Sequence, residues 1–201
     1  MKKRVVNNLV LAQCSFFTFL AITIFKTTAG FKQNHGLSFY GEHWSTAVPF
    51  GAGFFFCDYF LLRAANALPK DELLYRRLST LINILTVFLL FILLTPDTLD
   101  SFFNWSHIAD SSVLFLYELG FGVWLYLRCH RDVLALVLVA LLFAAGVLSM
   151  LSQFHIVYYL SEGILIFQLI FGVLLTYSVS LLLSEAPDED TNEGPVVEST
   201  T

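Results

Sequence analysis

Charge is what this sequence has least of. Asp, Glu, Lys and Arg together make up 13% of its 201 residues, while 57% are hydrophobic. A soluble domain carries about 25% charged and about 45–50% apolar residues. The scarcity excludes a soluble enzyme, a nucleic-acid-binding module and a disordered chain. Cysteine is also rare. Cys14, Cys57 and Cys129 show no CxxC or other paired spacing, so neither a zinc nor a redox motif is present. Cys14 and Cys57 lie in apolar runs and read as small core hydrophobes. Cys129, in Arg128-Cys129-His130-Arg131, stands where juxtamembrane acylation occurs. No two histidines have HxxxH or HExxH spacing, so no metal and no cofactor is expected. There is no evident inverted repeat and no pair of proline-broken spans, features that many secondary transporters show.

What is there is apolar length. About 115 of the residues are hydrophobic, close to the need of six spans at about 20 residues each. Six runs stand out, at 9–25, 47–62, 78–94, 112–127, 133–151 and 164–183. They do not alternate in polarity, so they are not barrel strands. Lipid offers no partner for a backbone N–H or C=O, so each run is expected to be a helix. The expected fold is all-α: a polytopic membrane protein of six transmembrane helices. A basic start and the small residues Thr27-Thr28-Ala29 also fit a cleaved signal peptide, although the first run exceeds the usual apolar length of about 7–15 residues.

The few charges are unevenly placed. Lys2, Lys3, Arg4, Arg63, Lys70, Arg76, Arg77, Arg128 and Arg131 fall on one side of the expected spans, and only Lys26 and Lys32 on the other. Lys and Arg favour the cytoplasmic side, which predicts both termini in the cytoplasm. Residues 184–201 hold six acids and no Lys or Arg, and such a tail is expected to be disordered.

Polar residues inside spans are costly in lipid and mark positions of interest. Ser79, Asn83 and Thr86 share one helix face and read as an interhelical hydrogen-bonding face. Ala47 and Gly51 form a small-xxx-small pair, and Gly120 and Gly122 read as packing glycines. Asp58 lies about 18 Å into its span, near the middle of the bilayer. It projects about 140° away from Arg63, so the two do not pair within one helix, and Asp58 is expected to face the bundle, either protonated there or bonded to the polar face of the third span. Glu118 lies about 10 Å below the outer edge of the fourth span. Glu162 opens the sixth span, and Gln168 follows about two turns deeper. Glu118 and Glu162 come from different helices at similar depth, where convergence on one site is conceivable.

His35, His43, His107 and His155 fall on the expected outer side. With Glu42 and Asp110 they supply groups suited to ligation or acid–base work. Trp44, Trp105, Tyr158 and Tyr159 suit an interfacial aromatic belt, where histidine also sits without chemistry. Asn104-Trp105-Ser106 is a glycosylation triplet on that side.

Several of these elements form one layout. Ser38 to Gly41 is a Ser-aromatic-aromatic-Gly element ahead of Val48-Pro49-Phe50. His107-Ile108-Ala109-Asp110 precedes the fourth span, and Ser161-Glu162-Gly163 opens the sixth. Across residues 9–183 this resembles the six-span family of the damage-regulated autophagy modulators and the Golgi GPI-lipid remodelling factors, and uncharacterised small bacterial membrane proteins of the same layout. Gly36 and Leu37 stand where that family usually has a proline. The resemblance implies a lipid-linked role with Ser38, Gly41, His107 and Glu162 at matching positions.

The expected function is thus a lipid-associated or scaffolding membrane protein. Ser38, Glu42, His43, His107, Asp110 and Glu162 would line an outward-facing polar pocket, with Glu118 below it. Asp58, Asn83 and Gln168 are the further intramembrane polar residues. The expected partners are membrane lipids and other membrane proteins, with no nucleic acid. Two alternatives belong to other classes. One is a metal-dependent intramembrane hydrolase or transferase, and the other a small transporter with Asp58 and Glu118 as a proton relay. Short connections point to a bacterial cytoplasmic membrane, or an endomembrane in a eukaryote.

Overall fold

A computed structural model describes residues 1–28, 37, 39–95, 101–129, 132–153 and 160–184. Ser38, His35, His155 and the acidic tail lie outside them. The described elements are α1 (Lys2–Lys26), α2 (Phe39–Glu42), α3 (Trp44–Asn66), α4 (Leu73–Leu94), α5 (Ser101–Arg128), α6 (Val133–Gln153) and α7 (Leu160–Leu182), with no strand among the described residues. The six long helices are each long and apolar enough to cross a membrane. Between 28% and 39% of each apolar window is buried within the chain. Many large apolar side chains, Phe55, Val87, Leu116 and Val137 among them, therefore face outward, which water would penalise at about 25 cal/mol per Å² and lipid does not. The chain is an integral membrane protein.

The helices form a ring. α1 packs on α3, α3 on α4, α4 on α5, α5 on α7, and α7 back on α1, while α6 lies outside against α5 and α7. Individual bonds set the register. Ser79 Oγ donates to the Ala65 carbonyl at 3.0 Å, pinning α4 antiparallel to α3. Tyr117 Oη donates to the Leu81 carbonyl at 2.6 Å, joining α5 to α4. Tyr75 Oη donates to the Leu182 carbonyl at 3.0 Å, and Lys2 Nζ donates to Ser184 Oγ. The start of α1, the start of α4 and the end of α7 thus lie at one end of the bundle. Pro49 sits inside α3 and cannot donate to the Ser45 carbonyl one turn back. Lys26 Nζ, at the end of α1, donates to that carbonyl at 3.0 Å instead. The helix continues and α1 is tied to it.

Some packing differs from expectation. Gly51 meets only Leu93 at an ordinary 3.8 Å, whereas Gly53 marks the close approach of α1 and α3. A side chain there would come within 3.1 Å of Phe19 Cβ and 3.5 Å of the Phe16 carbonyl oxygen. Gly122 is packed against Leu142 and Leu174, but Gly120 faces open space. Cys14 is exposed on the apolar outer surface and Cys129 is buried. The Cys129 thiol approaches the Ser178 carbonyl at 3.7 Å, so it is not presented for acylation. α5 begins at Ser101, about three turns before the apolar run, because polar residues at a helix end do not register as hydropathy.

Gly53→Leu is expected to lower stability by about 1–3 kcal/mol through overpacking. Gly120→Leu is expected to leave it unchanged. Unfolding in mixed micelles with rising SDS, followed by helicity, checks both.

Candidate functional site

Two of the outer polar residues, His43 and His107, bond to backbone carbonyls close by. His43 Nδ1 lies 2.9 Å from the Phe39 carbonyl, and its ring stacks at a tilt 4.1 Å from Phe39. It thereby holds α2, which ends at Glu42, against the start of α3. His107 Nδ1 lies 2.7 Å from the Thr95 carbonyl, and Thr95 Oγ1, which donates to the Phe91 carbonyl at 2.9 Å, stands 3.4 Å from Asp110 Oδ2. A carbonyl only accepts, so both histidines carry their proton on Nδ1. His107 and Asp110 meet at the residue that ends α4, where a donor side chain satisfies a terminal carbonyl. Glu162 sits in the first turn of α7. No group of three His, Cys, Asp or Glu side chains suited to a metal occurs among the described residues.

The intramembrane residues are more closely organised. Glu118 is 1% exposed and lies ten residues from the end of α5, about 15 Å along the axis. Gln168 Nε2 donates to Glu118 Oε2 at 2.9 Å. The partner of Glu118 is therefore Gln168 and not Glu162, which starts α7 about 9 Å higher. α5 and α7 run parallel here, as the Phe115–Phe167 stack at 4.8 Å also shows. Both residues line a cavity of about 50 Å³ in the middle of the ring, together with Gln13 of α1, Cys57 of α3 and Leu85 of α4. Gln13 Nε2 donates to the Gly172 carbonyl at 2.7 Å and to Thr176 Oγ1. Gly172 is required for this: a Cβ there would stand 2.7 Å from Gln13 Cδ.

Asp58 stands apart. Its Oδ1 is buried with no hydrogen-bond partner, so of the two expected states the bond to the third span is not made. The register set by Ser79–Ala65 puts Asp58 level with Thr86, and the Thr86 hydroxyl is turned back to the Asn83 carbonyl at 2.8 Å. Asn83 Oδ1 is likewise buried and unbonded. Arg63 does not reach Asp58 either; its guanidinium bonds to Tyr59 Oη at 3.2 Å and lies over that ring.

A second concave feature was not foreseen from the sequence. Between α4 and α5 runs an open groove of about 670 Å³. Leu73 and Trp124 stand at one end, Arg76 and Arg77 follow level with Phe121, and Gly120, Thr80, Leu81, Tyr117 and Leu116 line the rest. The available signal was the period of Tyr117, Gly120, Phe121 and Trp124, which share one face of α5, with a glycine as the hollow.

Gln168→Leu is expected to cost about 1–2 kcal/mol by orphaning Glu118 Oε2. Glu118→Leu combined with Gln168→Leu is expected to restore most of that loss. A double-mutant cycle by chemical unfolding in detergent reads the coupling, and additive losses would contradict the bond's importance.

No family model, curated protein or solved structure matches the chain.

Proposed function

We propose that this integral membrane protein is lipid-associated, and that it holds an anionic phospholipid in the α4–α5 groove at its cytoplasmic end. The observation that carries the reading is the pairing of two cations with an apolar trough. Arg76 and Arg77 are exposed on the first turn of α4, with no ion pair to a described acid. Basic pockets between transmembrane helices bind anionic head groups, and a guanidinium grips phosphate with two parallel bonds. Beside them lies the hollow at Gly120, and the groove continues for little more than one helical turn along Leu81 and Leu116, an apolar track for acyl chain. Thr80 Oγ1 is committed to the Arg76 carbonyl at 3.0 Å, so the two arginines carry the head-group contact.

The cytoplasmic assignment of this end rests on charge. Lys2, Lys3, Arg4, Arg63, Lys70 and Arg128 share it with Arg76 and Arg77, and the Lys2–Ser184 contact supports both termini lying there. The reading moves the lipid contact from the outer pocket to the inner face of the membrane. It agrees with the lipid-linked role implied by the resemblance to the autophagy-modulator and GPI-remodelling family. The short connections fit a bacterial cytoplasmic membrane.

Each cation near an anionic surface contributes about 1 kcal/mol, so the pair should favour an anionic lipid by roughly 30-fold. Native mass spectrometry of the protein with equimolar phosphatidylglycerol and phosphatidylcholine measures this. Arg76→Gln with Arg77→Gln is expected to remove the preference, and Gly120→Leu to reduce retention of both lipids. Equal retention of the two lipids by the unaltered protein would refute the proposal.

A further inference from the structure

The ring of five helices sets three side chains that carry acceptor oxygens beside one cavity, with Glu118 fully buried and Gln13 and Gln168 half-buried. Glu118 Oε2 accepts from Gln168, but Oε1 has no donor among the described residues. Glu118 itself lines the cavity. The Gln13 amide is oriented without ambiguity: the Gly172 carbonyl only accepts, so the nitrogen points there and Oε1 is left as an acceptor. Gln168 spends its Nε2 on Glu118, which leaves its own Oε1 as a third. Gln13, Glu118 and Gln168 line one cavity of about 50 Å³, and no Lys, Arg or His lines it. The site thus offers one carboxyl and two amide oxygens, and one weak donor in the Cys57 thiol.

We propose that this cavity is a binding site for a small monovalent cation, with Glu118 as counter-charge and the Gln13 and Gln168 side-chain oxygens as further ligands. Hard cations take oxygen ligands. A single carboxyl balances one positive charge, which favours a monovalent ion in a low-dielectric interior where excess charge is costly. The cavity has room for an ion with one or two waters and none for a lipid chain. The ligands are held before binding: Gln13 by Gly172 and Thr176, and Glu118 by Gln168. The site lies inside the ring, and it is independent of the groove on the outer side of α5.

The test is thermal unfolding of the full chain in detergent at constant ionic strength. Sodium, potassium and ammonium chloride are each compared with N-methylglucamine chloride, whose cation is too large for the cavity. At least one small cation is expected to raise Tm saturably by roughly 5 °C. Glu118→Gln is expected to abolish the shift. Gln13→Leu, which keeps the carboxyl, is expected to raise the half-saturating concentration about tenfold, one lost ligand being worth about 1.4 kcal/mol. No shift with any small cation would overturn the proposal. So would a shift that persists undiminished in both variants, since it would arise on the surface.

Discussion

The middle of a bilayer holds no water to satisfy a polar group, and this constraint organises the whole chain. Beyond the ladder within each helix, what remains to be placed is the Ser45 carbonyl freed by Pro49 and a small set of side chains. Some of these bond within their own helix, as Thr23 and Ser149 do, and others reach a backbone carbonyl on a neighbouring helix: Ser79 to Ala65, Tyr117 to Leu81, Tyr75 to Leu182, Lys26 to Ser45 and Gln13 to Gly172. A carbonyl is always present at any helix position. Such bonds tie helices together without requiring a matched side chain on the other side. Glu118 with Gln168 differs in being a fully buried carboxyl bonded to a side chain of another helix. It is a side-chain pair deep in the ring, and around it the cavity opens.

α5 joins the two sites. Its inner face presents Glu118 to the cavity, while Tyr117, Gly120, Phe121 and Trp124 present a second face to the groove. Adjacent residues on a helix differ by about 100° in direction, so Tyr117 and Glu118 can serve opposite sides. α6 takes no part in either lining. It is the span of highest hydropathy, and its attachment is mostly apolar: Phe115 lies against Gly146 and Leu142 against Gly122. Asp132 adds a polar anchor at its start, bonded to the Ala135 N–H and to Tyr177 Oη.

The six-helix fold was legible in the sequence because hydropathy and the absence of alternation are properties of each segment alone. The burial of Glu118 and the shared face of Ser79 and Thr86 were legible for the same reason. The partners were not. Glu118 and Gln168 are 50 positions apart, and only the packing of α5 beside α7 brings them together. His43 and His107 are on the expected side, but the backbone carbonyl that each ring nitrogen meets is set by the local chain path and has no sequence signature. Gln13 is one amide in an apolar run, which carries no pattern of its own. Arg76 and Arg77 carry only a topology signal in the sequence and Gly120 only a packing one, since no periodicity shows that a neighbouring helix leaves a hollow. Cys129 lies at a helix end, where sequence suggests exposure, and the packing of α7 covers it.

Closure of the ring is the claim on which the enclosed cavity depends, and it rests on α1 lying antiparallel against α7. Cysteines introduced at positions 2 and 184, with Cys14, Cys57 and Cys129 replaced by alanine, test it in native membranes. A short bismaleimide should join the two positions within one chain, seen as a single linked peptide by mass spectrometry. Failure to link, with each cysteine still labelled individually by a maleimide, would contradict the closed ring.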